Sequence, residues 1–298
     1  MTDATVATRA NDALPTLSRA ERRVARTLLA DYPSAGLTSA ARLAERAEVS
    51  APTVLRFAQS LGYDGFAALQ MELRSELSMR SSGPIARLAT APPPGTRLDR
   101  LLRQARMQSD RAVETMGHLS PHAIDRAVDL LADTDRRLFL HGGRFSHLIA
   151  MNLAFHMEQL RQQVSLLEDP TGRDLGAVLD LQRGDVVVLF DYHRYQRSAA
   201  ELAQSAHRAG ALVILITDDL GCPVAPDAEV VLAAASTAGT AYHSMTAGFL
   251  LTELLVQLVM DAIGDPARTR MALWEERRWA ELIYPTTDDE SGPTDRQG

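Results

Sequence analysis

The chain has 298 residues, 46% apolar and 23% charged, with one cysteine and a net charge of −7. That length allows two domains with separate cores, and the composition is that of a globular protein. The lone Cys222 excludes an internal disulfide and a cysteine zinc site, no apolar run reaches membrane-spanning length, and the start MTDATVATRAND lacks a secretion signal, so a cytoplasmic protein is expected.

The charge is unevenly placed. Residues 1–90 hold 11 Arg against 9 acids, a net of +2, which leaves −9 for the remainder. Every basic residue is Arg. An acidic average argues against nucleic acid, but it hides a basic N-terminal part.

Ser18, three residues before Glu21, has capping-box spacing, and Val24, Ala25, Leu28 and Leu29 continue a helix that ends before Pro33. A second helix is expected over 39–47, and a third over 51–61 with Ser50 as N-cap and Pro52 in its first turn. The stretch GYDGFAALQMELRSEL reads as a fourth. Residues 78–99, rich in Ser, Pro and Gly, read as a linker. Helices over 98–117 and 121–132 then lead into RRLFLHGGRFS, a strand ending in a glycine turn. Next come helix 146–162, the strand VSLLED, a short helix, the strand DVVVLF, the loop DYHRYQ, helix 196–209, and the strands ALVILIT and AEVVLAAA. An apolar helix over about 242–263 and the amphipathic stretch MALWEERRWAELIYP follow, and the tail beyond Pro285 reads as disordered. Continuous β-branched runs alternating with helices indicate a parallel sheet covered on both faces. The expected fold class is an all-α helix-turn-helix domain (1–77), then an α/β doubly wound domain (100–265), with a C-terminal helix and tail (266–298).

Leu43, Ala44, Ala47, Val49, Val54 and Phe57 fall where two short helices would lock at a fixed angle. The second helix could then enter a major groove with Ser50, Ala51, Pro52, Thr53 and Arg56 toward the bases, while Thr38 and Ser39 meet phosphates. Arg56 can bond guanine bidentately. Glu48 stands at a turn position that favours glycine, at a cost of about 1 kcal/mol. Spacing alone leaves a plain helical bundle open.

The run LTSAARLAERAEVSAPTVLRFAQSLGYDGFAALQ resembles the N-terminal domain of RpiR-type transcriptional regulators, in its VS-x-x-T-V-x-RF and LGY-x-GF elements. The second half resembles the SIS (sugar isomerase) domain of those regulators through RRLFLHGGRFS, DVVVLFDYHRYQ and ALVILITD. The resemblance implies a homodimer or homotetramer that binds a palindromic operator in double-stranded DNA and responds to a sugar phosphate or related anionic metabolite. In the family's first glycine-rich loop, Gly142 and Ser146 match and Arg144 replaces the second glycine of the pattern; Gly143 joins them as a candidate effector residue. In the second loop Asp191, His193, Arg194 and Gln196 stand where Ser, Ser, Gly and Thr are expected, and a later Ser-Pro is Cys222-Pro223. The hydroxyl cradle is therefore missing. Arg144, Arg194 and Arg197 could grip an acidic or phosphorylated sugar derivative. Alternatively the loop is structural, with Asp191 paired to Arg194 or Arg197.

The competing class is a sugar-phosphate isomerase with a fused helical domain, for which Glu158, Glu253 and His243 could be proposed as acid–base groups. The missing phosphate cradle opposes it. His141, His147, His193, Tyr242 and His243 sit near strand ends that could share a cleft, and read as structural or solvent-facing rather than catalytic. No metal or nucleotide motif is present, so neither a metal site nor a cofactor is expected.

Overall fold

The computed structural model describes residues 5–81, 94–236 and 242–278, with backbone alone for 78–81 and 278. The N-terminal unit is helical: α1 (Val6–Ala13), α2 (Arg19–Ala30), α3 (Ser34–Leu37), α4 (Ala40–Arg46), α5 (Ala51–Ser60) and α6 (Phe66–Ser81). Ser18 caps α2 as expected: its hydroxyl accepts the Glu21 N–H at 3.3 Å, and the Glu21 carboxylate accepts the Ser18 N–H at 3.0 Å. Those bonds hold Glu21 below the usual carboxylate range. Val24, Leu28, Leu43, Val54, Phe57, Leu69 and Leu73 form the buried core of this unit. Helices α1 and α3 have no counterpart in the sequence expectation. Glu76, buried on α6, anchors α1 by accepting the Val6 N–H at 2.7 Å, and it also accepts the Tyr32 hydroxyl.

The second unit begins with α7 (Arg97–His118) and α8 (Pro121–Ala132). It continues through β1 (Leu138–Gly142), α9 (His147–Leu160), β2 (Val164–Leu167), α10 (Leu175–Leu179), β3 (Val186–Asp191), α11 (Arg197–Ala209), β4 (Leu212–Thr217) and β5 (Val230–Ala233). Two helices close it, α12 (Thr246–Ile263) and α13 (Asp265–Arg278). The five strands are parallel, in the order β2-β1-β3-β4-β5. Alternate side chains go to opposite faces: Leu138, Leu140, Val186, Val188, Ile214 and Ile216 join α8, α9 and α12, while Val187, Leu189, Val213 and Leu215 join α11. Burial of both faces explains the unbroken apolar runs. The chain reverses its direction of strand addition between β1 and β3, and the crevice at their carboxyl ends is where open α/β sheets bind ligands.

Helix α12 is 18 residues long and apolar enough to cross a membrane by length and composition, contrary to the reading that no run reaches that length. It is instead a core helix, with Leu251, Thr252, Leu255 and Val259 buried. The expected linker is partly helical, since α6 runs to Ser81 and α7 starts at Arg97; residues 82–93 lie outside the described residues. The expected tail beyond Pro285, with Trp279 and Leu282 before it, also lies outside them.

Candidate functional site

Helices α4 and α5 form the helix-turn-helix. The turn carries Glu48 at φ 50°, the left-handed conformation that its glycine-like position demands. Its carboxylate pairs with Arg23 on α2. Arg46, the last residue of α4, pairs with Asp31 at 2.7 Å, so both ion pairs hold the turn end of that helix. On α5 the buried residues are Thr53, Val54, Phe57 and Ala58. Ser50, Pro52, Leu55, Arg56, Gln59 and Ser60 are exposed, and Ala51 is intermediate.

Thr53 is therefore not on the outer face, where the sequence reading put it. It lies one turn before Phe57 on the inward stripe and is 5% exposed. Its Oγ1 lies 2.9 Å from Ser50 Oγ and accepts the Arg56 guanidinium at 3.3 Å. The Thr53 hydroxyl is thus engaged by the side chains of Ser50 and Arg56. Gln59 and Leu55, which the sequence reading passed over, continue the exposed stripe. Thr38 is half-buried and spends its hydroxyl on the Ala35 carbonyl at 2.7 Å; Ser39 is exposed and caps α4 by accepting the Arg42 N–H at 3.2 Å.

The second site is a cleft of about 470 Å³ at the carboxyl ends of β1, β2 and β3. Gly142, Gly143, Arg144 and Gln196, all singled out in the sequence, line it together with His141, His147, Glu168, Asp169, Thr171 and Ser198. Gly142 is obligatory: a Cβ there would stand 2.6 Å from the Ser146 carbonyl group and 2.7 Å from the His147 nitrogen. Ser146 is buried and committed to the loop, accepting the Gly143 N–H at 2.8 Å and donating to the Phe190 carbonyl at 2.6 Å. It locks β1 to β3 and does not line the cleft.

His141 is 4% exposed. Its Nδ1 donates to the Leu167 carbonyl at 2.9 Å, so Nε2 carries the lone pair. Burial holds this imidazole below its usual pKa, and Nε2 has no partner among the described residues. His141 and the exposed Arg144 both line the cleft. On the β2 side, Glu168 pairs with Arg173 at 2.6 Å, and Asp174 accepts the Glu168 and Asp169 N–H groups at 2.7 and 2.8 Å. Asp174 is held below the usual carboxylate range mainly by the Asp169 bond.

Besides Ser146, four more predicted effector residues lie outside the lining: Asp191, His193, Arg194 and Arg197. Asp191 is 2% exposed and burial raises its carboxyl to about 7. It accepts the Gln196 N–H at 3.2 Å and the Cys222 thiol at 3.8 Å, and pairs with neither Arg194 nor Arg197. The anticipated ion pair fails because Arg197 points outward to Glu201 at 2.7 Å. Arg194 is exposed at φ 71°, which explains why the family pattern has glycine there. His193 belongs to a different cluster, described below. The proposed isomerase groups do not converge. Glu158 is in the last turn of α9, about 16 Å by helix rise from its cleft end, and Glu253 lines a groove between α7 and α12.

The two units touch. Thr5, the N-cap of α1, donates to Asp219 just after β4 at 3.2 Å, and Leu220 packs against the helical core. Asp219 also accepts the Gly221 N–H at 2.7 Å.

Residues 5–80 match the model of the helix-turn-helix domain of the rpiR family, and residues 130–258 match the SIS domain. The HTH-type transcriptional regulator HexR of Pseudomonas aeruginosa is 30% identical over 212 residues, 71% of this chain and 72% of that protein. HexR of Escherichia coli is 30% identical over 222 residues, 72% of this chain and 73% of that protein. Among solved structures, the Vibrio vulnificus NanR protein complexed with ManNAc-6P aligns with a TM-score of 0.55 at 17% identity, covering 93% of this chain and 99% of that one. The sugar isomerase domain of an RpiR transcription factor from Sphaerobacter thermophilus gives 0.55 at 19% identity, over 59% and 97%.

Proposed function

The chain belongs to the rpiR family of helix-turn-helix transcriptional regulators that carry a SIS domain, and from that premise we propose how it reads DNA and what it senses. The α5 stripe of Ser50, Pro52, Arg56 and Gln59 enters the major groove of a palindromic operator, with Ala51 in the first turn and Ser39 near the backbone. The cleft between β1 and β3 holds a sugar bearing a phosphate or carboxylate. Residues 1–77 act as the DNA-binding head and residues 100–265 as the sensing and assembly unit, working in the cytoplasm.

The observation that carries the sensing role is that Arg144 and His141, whose buried Nε2 is an acceptor with no partner among the described residues, line the same cleft. Arg144 binds the anionic group, and His141 accepts a sugar hydroxyl. Glu168, Asp169 and Thr171 offer further acceptors for hydroxyls. Arg194 and Arg197, both exposed near the rim, add positive potential without touching the floor. With Ser146 and Asp191 committed to the loop and the acid–base candidates dispersed, the cleft binds rather than catalyses.

Assembly as a homodimer or homotetramer uses α7 and α12, where Leu98, Leu101, Val113, Leu254 and Leu258 are exposed apolar side chains. Coupling runs through the Thr5–Asp219 contact, which ties the DNA-binding head to the exit of β4. Differential scanning fluorimetry with phosphorylated, acidic and neutral sugars tests the sensing role. A phosphorylated or acidic sugar should raise the melting temperature, and Arg144→Ala should abolish the shift. No shift with any of the three classes would remove the cleft from the account.

A further inference from the structure

Outside the cleft, the carboxyl ends of β3 and β4 gather three metal-ligating side chains from three separate loops. His193 lies two residues past β3, Asp218 directly follows β4, and His243 lies three residues before α12. Their ligating atoms all fall within 4.8 Å of one another. The two imidazole rings stack with centroids 3.9 Å apart and an interplanar angle of 34°.

The surrounding bonds set the aim of Asp218 and the tautomer of His243. Asp218 Oδ2 accepts the Ser236 hydroxyl at 2.6 Å, and Oδ1 accepts the His193 backbone N–H at 3.1 Å and the Tyr195 hydroxyl at 3.3 Å. Ser236 Oγ also lies 3.1 Å from His243 Nδ1. A serine hydroxyl has one proton, and this one goes to Asp218; His243 must therefore donate from Nδ1 and carry its lone pair on Nε2. A ligating histidine held by its other nitrogen is the usual outer arrangement of a metal site. No guanidinium pairs with Asp218 among the described residues, so its charge is offset only by neutral donors.

We propose that His193, Asp218 and His243 bind one divalent first-row transition ion, zinc being the natural test case. Two imidazoles and one carboxylate suit such an ion better than magnesium or calcium, which prefer oxygen. Zinc sits about 2.0–2.2 Å from nitrogen and oxygen ligands. Tetrahedral donors are then about 3.3 Å apart, so the stacked rings must splay and close on the ion by roughly 1.5 Å. Three protein ligands leave a fourth position for water or a ligand oxygen. The sequence shows no metal spacing because the three residues meet only after β3 and β4 pair.

The test uses the full chain, stripped with chelator and titrated with zinc by calorimetry and with cobalt by visible absorption. We expect one ion per chain and the ligand-field bands of four-coordinate cobalt. His243→Ala and His193→Ala should each weaken zinc binding at least tenfold, and Ser236→Ala about 10–100-fold. His122→Ala, at an exposed position on α8, should bind as the parent does. Absence of stoichiometric binding by the parent overturns the proposal. So does a folded His243→Ala or His193→Ala that binds zinc as tightly as the parent; should either fail to fold, the other and the parent's cobalt spectrum decide.

Discussion

Replacing Thr53 by Val keeps the buried methyl against the α5 core and removes only the hydroxyl that Arg56 donates to. The bond is long, at 3.3 Å, and lies at the edge of the helix, so its loss is worth about 0.5–1.5 kcal/mol, or roughly twofold to twelvefold in operator affinity. Folding stability should change by less than about 1 kcal/mol, because the exposed Ser50 and Arg56 regain water as partners. Arg56→Ala removes the base contact itself and should cost about 1–3 kcal/mol. Since Thr53 acts only through Arg56, Thr53→Val should cost nothing further in an Arg56→Ala background. A double-mutant cycle by fluorescence anisotropy on an operator selected from randomised duplexes measures this coupling. Equal losses from Thr53→Val in both backgrounds would refute the positioning role and restore Thr53 as a direct contact.

Three other outcomes follow from the geometry. Gly142→Ala forces a Cβ into the Ser146 and His147 backbone; it should destabilise the second unit by about 1–3 kcal/mol in urea and lower effector affinity. Cys222 is 2% exposed and burial pushes its thiol up to about 12, so native alkylation at neutral pH should be at least about a thousandfold slower than for an exposed cysteine. A native rate equal to the denatured rate contradicts that burial. Thr5→Val removes the bond to Asp219; operator affinity without effector should change little, whereas the effector-induced change should shrink. An unaltered effector response would mean the coupling runs elsewhere.

Most of the architecture was legible because it rests on local signals. The capping box at Ser18, the β-branched runs of β3 and β4, and the alternation of helix and strand each follow from a few neighbouring residues. The placement of α5 was also legible, but its faces were not. Ser50, Thr53 and Arg56 recur every three residues, and a helix turns 300° in that interval, so each step falls back by about 60°. The middle residue thereby lands beside Phe57, while Pro52, Leu55, Arg56 and Gln59 follow the true exposed stripe.

The cleft was half legible. Gly142, Gly143, Arg144 and Gln196 came from loops the family pattern marks. Glu168, Asp169 and Thr171 enter only because β2 pairs with β1, which no local pattern announces. His141 was named in the sequence among strand-end residues that could share a cleft but read as structural; it does both, bonding the Leu167 carbonyl through Nδ1 while the residue lines the cleft. Asp191 and Ser146 were misplaced for the opposite reason. Their polarity serves the backbone of their own loops.

The central claim is that α5 reads duplex DNA through Arg56, and selection from randomised duplexes tests it most directly. The parent chain should enrich a palindrome with half-sites one helical turn apart or a multiple of it, and Arg56→Ala should lose its preference at one base pair in each half-site. Enrichment of no sequence, or the same site with unchanged preference from Arg56→Ala, would contradict it.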